Sequence, residues 1–348
     1  MPWSPMNPDR VKTADVLRGV AALAVAWFHF TNGNQTFLHA GFLKTSGSYG
    51  WLGIEMFFVI SGFVIPYTLH RARFEMRGYG RFLLRRVIRL DPPYLVTIAI
   101  IIGLDFVSSA TPGFRGKPFD FSWPRFLAHL GYLNAFVGYA WYNPVFWSLA
   151  IEFQWYLLSG LLFMAFSHTS RAVRWGTFSA FGLLPFLMPA DGLVFRYLPL
   201  FSFGIATYQL RTGLLAKLEY FVICAVCTFL CILNMTVAIA AVGLVTALMI
   251  AFLDFGPSLL LRAGAISYSL YLLHIPIGGR VINLSSRLPD NLALKVSALA
   301  AATVVSIAAS YFLWRWVERP ALQWARRVPY HSTSPCSEIS REPSQSGA

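Results

Sequence analysis

Charged residues are scarce in this sequence, since Asp, Glu, Lys and Arg make up only 12% of its 348 residues. A soluble domain usually carries about twice that share. With 56% hydrophobic residues, a soluble globule of this size could not cover its surface with polar groups, and a disordered chain is excluded as well. Four cysteines are too few for a disulfide scaffold. The composition therefore predicts a membrane protein with several spanning segments.

Several common catalytic and binding motifs are also missing. The sequence contains no Walker A loop, no H-E-x-x-H and no G-x-S-x-G. Its seven histidines are dispersed without metal-ligand spacing, so no bound metal is predicted. The net charge is +13, but the basic residues lie between apolar blocks and form no separate domain. Nucleic acid is therefore not predicted as a partner.

The apolar residues are grouped in blocks, and a helix needs roughly 20 mostly apolar residues to span a bilayer. About ten blocks approach that length, at residues 14–31, 51–69, 94–109, 144–166, 175–188, 193–210, 221–233, 237–253, 265–282 and 296–314. We therefore predict an all-α, polytopic integral membrane protein with about ten transmembrane helices, surrounded by the lipid bilayer.

The basic residues are distributed unevenly between the predicted loops. The segment between the second and third blocks alone holds Arg71, Arg73, Arg77, Arg81, Arg85, Arg86 and Arg89. Because cytoplasmic loops carry the excess of Lys and Arg, this bias predicts cytoplasmic N and C termini in a multi-pass protein of the inner (plasma) membrane. Residues 328–348 are rich in Ser, Pro and Glu, and we predict a disordered cytoplasmic tail there.

Two ionisable residues, Arg18 and His29, lie inside the first predicted span. An ionisable side chain there costs about 2.5–3.5 kcal/mol on insertion scales, so each needs a reason. The two residues are 11 positions apart, which at about 100° per residue puts both on one helix face about 16 Å apart. Two interpretations stay open: an arginine and a histidine that reach the membrane interface, or a functional pair.

Two further polar clusters accompany the third and fourth blocks. Arg86 and Arg89 are three positions apart and point the same way if their segment is helical; such guanidinium groups suit phosphates of a lipid headgroup or of a ligand. Ser148, Glu152 and Tyr156 recur every four residues and form a polar stripe on an apolar helix. Glu152 is either the structural partner of an arginine or a group that handles protons.

Taken in order, five motifs resemble those of the membrane acyltransferase-3 family. They are Arg-x10-His from Arg18, Gly-Ile-Glu-Met-Phe-Phe-Val-Ile-Ser-Gly-Phe from Gly53, Arg-Arg-x-x-Arg-x-x-Pro-Pro-Tyr from Arg85, Trp-Ser-Leu-x-x-Glu-x-Gln-x-Tyr from Trp147 and Ile-Ser-Tyr-Ser-Leu-Tyr-Leu-Leu-His from Ile266. The resemblance covers one transmembrane domain, residues 13–320. It implies about ten helices and an O-acyltransferase that moves an acyl group, commonly acetyl from cytoplasmic acetyl-CoA, to sugar hydroxyls. Two positions depart from the family pattern: Glu55 stands where Asp is more usual, and Phe153 where many members have a second Glu.

The resemblance also implies roles for individual residues. Arg86 and Arg89, with Arg18, are expected to bind the phosphates of acyl-CoA, which is the donor substrate; no bound cofactor is expected. His29 is expected to act as the base or to carry the acyl group transiently, and Glu152 to orient His29 or stabilise its imidazolium form. Expected acceptors are carbohydrates such as exopolysaccharide, lipopolysaccharide or a lipo-oligosaccharide.

A second class of function is left open by the same residues. Intramembrane Arg, His and Glu also line the substrate paths of membrane transporters, so the alternative is a transporter or flippase of a glycan or another polar substrate. The sequence shows no inverted repeat, which many transporters have. Product formation that depends on CoA would distinguish the enzyme from the transporter.

Overall fold

The computed structural model describes residues 11–111 and 119–330, and within these ranges every regular element is a helix. In chain order the α-helices are α1 (Lys12–Asn32), α2 (Phe42–Gly47), α3 (Gly53–Arg71), α4 (Tyr79–Ser109), α5 (Trp123–Leu130), α6 (Asn134–Val137), α7 (Phe146–Phe166), α8 (Arg171–Leu187), α9 (Leu198–Arg211), α10 (Lys217–Asn234), α11 (Val237–Phe252), α12 (Ser258–Ala265), α13 (Ser267–Leu273), α14 (Arg280–Ser285), α15 (Leu292–Leu313) and α16 (Arg319–Arg327). Two π-helical turns, His274–Gly279 and Trp314–Glu318, join α13 to α14 and α15 to α16. Most of the predicted tail, residues 331–348, lies outside the described residues.

Among the described residues, six helical segments are long and apolar enough to cross a membrane, or seven if the bent pair α12 and α13–α14 is one span. The six contain α1, α3, α4, α7, α10 and α15. The expectation of an all-helical, multi-pass membrane protein is therefore confirmed. The count of ten spans and the cytoplasmic position of both termini stay predictions.

Three predicted blocks form helices that are short for a span: α8 has 17 residues, α9 has 14 and α11 has 16. The central one is α9, in which residues 198–209 are all buried. A short apolar helix of this kind is typical of a protein core, where it needs no lipid contact. The apolar pattern of this block thus reflects burial against neighbouring helices.

A close helix contact joins α3 to α9 and depends on two glycines. A Cβ added at Gly62 would lie 2.3 Å from the carbonyl oxygen of Phe201, and one added at Gly204 would lie 2.2 Å from that of Val59. Small residues let membrane helices approach to backbone contact. Beside this contact, Trp155 of α7 stacks on Phe201 with ring centroids 4.3 Å apart. These contacts fix α3, α7 and α9 relative to one another.

The arginine-rich segment is helical, which corrects the expectation of a loop before a span at residues 94–109. Helix α4 begins at Tyr79 and runs through Pro92 and Pro93 without a break. Proline usually interrupts a helix because it lacks an N–H and crowds the preceding turn. For this reason the sequence predicted a helix that starts at residue 94, after the two prolines, and not at Tyr79. Within a membrane protein, neighbouring helices tolerate such prolines. Arg86 and Arg89 therefore project from a continuous helix.

The block predicted at residues 265–282 is a broken rod. Helices α12 and α13 meet at a bend of 55°, and the π-helical turn at His274–Gly279 interrupts the rod again. Beyond that turn, Arg280 of α14 pairs with Asp105 of α4 at 2.6 Å and donates to the Ser108 hydroxyl at 3.0 Å. The rod is thus fixed to α4 beyond its irregular turn.

Residues 119–145 lie outside the candidate spans and are organised around one histidine. His129 is fully buried, its Nδ1 lies 2.7 Å from the Arg125 carbonyl oxygen, and its Nε2 accepts the Tyr142 amide N–H at 3.0 Å. Because Nε2 is an acceptor, the ring proton is on Nδ1 and is donated to Arg125. Burial lowers the pKa of His129 to about 4, so the ring stays neutral at neutral pH.

Acidification is expected to loosen this segment. The pKa of an exposed histidine is about 6.5, whereas that of folded His129 is about 4. Between these values the unfolded state binds a proton that the folded state does not, so stability is complete above pH ~6.5 and falls by at most about 3 kcal/mol towards pH ~4. We expect the protection factor of the Tyr142 amide hydrogen, which compares its exchange rate with that of an unstructured peptide at the same pH, to fall over this range in wild type and much less in His129→Gln. An equal fall in both proteins would assign the effect to other groups.

Candidate active site

Three arginines converge at one end of the helix bundle. Arg18 projects from α1, while Arg86 and Arg89 project from α4. All three line the same two cavities, so the three-residue spacing does bring Arg86 and Arg89 to one side of their helix. The three residues that the sequence predicted for donor binding are therefore brought together by the fold.

Arg86 is held by aromatic faces. Its side chain is 7% exposed, and its guanidinium carbon lies 5.4 Å from the ring centroids of both Phe82 and Tyr156. No carboxylate of the described residues forms an ion pair with it. The Nε of Arg18 is likewise buried without a hydrogen-bond partner. Buried cations with so little compensation are costly, and they make this end of the bundle receptive to an anion.

Two neighbouring cavities share these arginines in their linings. The inner cavity has a volume of about 50 Å³, and its lining includes the three arginines, Ser61, Glu152 and Tyr271. The mouth cavity is larger, at about 240 Å³, and its lining includes the same arginines with Arg85, Arg326 and Tyr330. The arginines thus form the boundary between a basic mouth and a more enclosed interior.

The polar stripe of α7 faces the inner cavity, because Ser148, Glu152 and Tyr156 all line it. Ser61 and Tyr156 both donate to Oε1 of Glu152, at 2.9 and 2.5 Å. Ser148 and Tyr271 share a hydrogen bond of 2.5 Å between their hydroxyl oxygens. Glu152 is therefore an oriented carboxylate on the same cavity as the arginines.

His29 lies apart from that carboxylate. It is half-buried on α1 and lines neither cavity, and its ring packs against His274 with centroids 5.2 Å apart. Tyr271 lies between this histidine pair and the inner cavity: it lines the cavity, and its ring centroid is 5.9 Å from that of His274. Among the described residues there is no hydrogen bond between His29 and Glu152, so the fold does not bring the two predicted catalytic residues into contact.

His274 is fully buried, with its Nδ1 3.1 Å from the Leu270 carbonyl oxygen and its Nε2 without a hydrogen-bond partner. His274 ends the last of the five motifs, but the resemblance implies no role for it. The signal for Ser61 was weaker still, because a single serine in an apolar helix usually bonds its own backbone. Glu55, the departure from the family pattern, is 6% exposed at the start of α3, and its Oε2 has no hydrogen-bond partner.

The described residues contain no group of three His, Cys, Asp or Glu side chains that could hold a metal ion. The side chains at the site offer guanidinium, carboxylate, hydroxyl and imidazole groups. These groups can bind an anion, orient a substrate and move a proton.

Comparison with known proteins gives one positive result. The family model of the acyltransferase-3 type, described as an acyltransferase domain, matches residues 11–315. This range contains Arg18, His29, Arg86, Arg89 and Glu152. No curated protein and no solved structure matches the chain significantly.

Proposed function

The chain belongs to the acyltransferase-3 family, and on this premise we propose that it moves an acetyl group from acetyl-CoA to a hydroxyl of a carbohydrate. It would act in the inner (plasma) membrane, on acceptors such as exopolysaccharide, lipopolysaccharide or a lipo-oligosaccharide. The observation that carries the proposal is the cluster of three arginines, with Arg86 buried, that lines two neighbouring cavities. Such a group suits a substrate with several phosphates, and CoA is one.

Acyl-CoA is proposed to enter through the mouth cavity. Arg85 and Arg326 line it beside the three shared arginines, so phosphates meet several guanidinium groups there. The acyl end of the donor would then pass Arg18 into the inner cavity and reach Tyr271, whose ring contacts the His274 that packs against His29. Water is scarce in such an enclosed space, which strengthens each electrostatic contact.

We propose that Glu152 acts mainly on the arginines. Its charge interacts with Arg18 and Arg86, and its orientation is set by Ser61 and Tyr156. A fixed carboxylate at this point reduces the mutual repulsion of the arginines while no donor is bound. The role expected for Glu152 was to orient His29 or to stabilise its imidazolium form. That role requires a hydrogen bond between the two side chains, which the structure does not show.

His29 is proposed to take the proton of the acceptor hydroxyl. The hydroxyl oxygen attacks the thioester carbonyl, the carbon–sulfur bond breaks, and the CoA thiolate receives the proton from His29. The products are an O-acetylated sugar and free CoA, so no oxidant or further co-reactant is required. The half-exposed ring of His29 supports this role, since a substrate hydroxyl has access to it.

The test uses purified protein in nanodiscs with radiolabelled acetyl-CoA and a panel of lipid-linked and soluble glycans. Transfer of label to a glycan, with release of free CoA, is the expected result. Absence of transfer to every glycan, together with absence of CoA binding, would contradict the proposal and favour a transporter. In that case, movement of an unmodified glycan across the bilayer is the measurement to make.

Arg86→Gln is expected to raise the KM for acetyl-CoA about tenfold or more, because it removes a charge-assisted contact to phosphate. Without the donor, its melting temperature should be unchanged or higher, since the substitution removes a buried charge that no carboxylate pairs with. Initial rates over a range of acetyl-CoA concentrations and thermal unfolding check both expectations.

The matched control is Arg77→Gln. Arg77 is an exposed residue just before the start of α4, and it lines neither cavity. It should leave KM unchanged. A lower melting temperature of Arg86→Gln with an unchanged KM would make Arg86 a structural residue.

A further inference from the structure

We propose that His274 is a positioning residue for His29, whose ring N–H it accepts through Nε2. This inference rests on the proposed function, in which His29 takes a proton from the acceptor. Only an N–H can donate to the Leu270 carbonyl oxygen, which lies 3.1 Å from Nδ1 of His274. The neutral ring therefore carries its proton on Nδ1, and Nε2 is left with a lone pair.

No group in the structure donates a hydrogen bond to this lone pair. His274 is fully buried, and its Nε2 has no hydrogen-bond partner. Buried polar atoms are nearly always paired, so an unpaired acceptor beside a site indicates a partner that arrives or turns towards it. Among the ring contacts of His274, those to Phe30 and Tyr271 offer no ring N–H, whereas that to His29 does.

The geometry fits a direct bond between the two imidazoles. Two imidazoles joined by a hydrogen bond of about 2.9 Å have ring centroids about 5 Å apart. The observed separation is 5.2 Å, and the ring planes are inclined by 44°. His29 is half-buried, so a rotation of its side chain is enough to direct a ring N–H at Nε2 of His274.

The backbone supports this pairing on both sides of the contact. His274 begins the π-helical turn, and Gly278 in the same turn lets α1 approach, because a Cβ added there would lie 2.5 Å from the Phe30 ring. At the other end of α1, Gly19 lies against the backbone at Gly264. The rod that carries His274 is thus held against the helix that carries His29, and π-helical turns are frequent at functional sites.

Accepting one N–H of His29 fixes its tautomer and leaves its other nitrogen free to take the hydroxyl proton. When His29 becomes imidazolium, its bond to Nε2 becomes charge-assisted and shorter. His274 itself gains and loses no proton in the reaction. Its part is that of an orienting residue in a catalytic triad, supplied here by a neutral ring.

Two substitutions separate the acceptor from the rest of the side chain. In His274→Asn the amide N–H replaces the Nδ1–H donor to Leu270, but nothing reaches the position of Nε2. In His274→Gln the longer side chain brings an amide oxygen near that position. We expect kcat to fall roughly 10- to 100-fold in His274→Asn and to recover at least partly in His274→Gln, with the KM for acetyl-CoA within about twofold.

Ser306→Ala is the matched control, because its hydroxyl is also buried and unpaired and lies against Gly278 of the same turn. It should leave kcat unchanged. Equal loss of kcat in His274→Asn and His274→Gln, or wild-type kcat in His274→Asn, would overturn the proposal.

A measurement without substrate separates this inference from the proposed function. ¹⁵N NMR of histidine-labelled protein, with the His29 signals assigned by their loss in His29→Gln, should show one tautomer in wild type and a mixture in His274→Asn. The same His29 tautomer distribution in both proteins would overturn the pairing, even if wild type transfers acetyl groups. One tautomer in wild type and a mixture in His274→Asn would support the pairing, even if no glycan in the panel is acetylated.

Discussion

His29→Ala is expected to lower the rate of acetyl transfer at least about 100-fold while the protein stays folded in the membrane. Removal of a positioned base typically costs 10²- to 10⁴-fold, which is about 3–5 kcal/mol in the activation barrier. The KM for acetyl-CoA should change little, because His29 lines neither cavity at the arginines. A single-turnover assay with saturating donor isolates the chemical step from donor binding.

The matched control for this substitution is His39→Ala. His39 is exposed and pairs with Asp290 at 3.4 Å, away from both cavities, so its loss should leave turnover unchanged. A wild-type rate in His29→Ala would remove this residue from the mechanism. Incubation of the wild type with labelled acetyl-CoA and no acceptor tests the second role, since label retained on His29 would make it a carrier of the acyl group.

Gly204→Ala is expected to destabilise the fold by roughly 1–3 kcal/mol or more, the usual cost of overpacking. The added Cβ would lie 2.2 Å from the Val59 carbonyl oxygen and 2.4 Å from the Phe63 amide nitrogen. Both are backbone atoms of α3, so no side-chain rotation can relieve the contact, and α3 and α9 must separate. The melting temperature in detergent or nanodiscs measures the effect.

A second glycine provides the control, because a Cβ added at Gly103 in α4 meets nothing within 4 Å. Gly103→Ala should be neutral or stabilise the helix by up to about 1 kcal/mol, since alanine favours helix more than glycine does. Donor binding should weaken in Gly204→Ala, because α3 also supplies Ser61 to Glu152. An unchanged melting temperature in Gly204→Ala would mean that α3 and α9 have room to adjust.

Residue spacing predicted correctly which side chains share a face when all of them lie on one helix. The four-residue spacing of Ser148, Glu152 and Tyr156 predicted one polar face, and all three residues line the inner cavity. The three-residue spacing of Arg86 and Arg89 likewise predicted a shared direction. These predictions needed no knowledge of neighbouring helices, because helical geometry alone relates such positions.

The sequence was a weaker guide to features that depend on contacts between helices. Pro92 and Pro93 favour a helix that starts after them, yet surrounding helices support an unbroken α4 from Tyr79. The partner expected for His29 was Glu152, but the rod α12–α14 brings His274 to it instead. Pairing between distant helices depends on close approaches such as Gly278 to Phe30, which one sequence does not reveal.

The π-helical turn at His274–Gly279 has a consequence for insertions and deletions in this chain. Each residue added to or removed from a helix rotates everything beyond it by about 100°. The turn therefore sets the phase between Tyr271, which faces the inner cavity, and Arg280, which reaches Asp105 on α4. A chain one residue shorter here would keep one of these faces in register and lose the other, so variation in length should be tolerated in the loops and not in this rod.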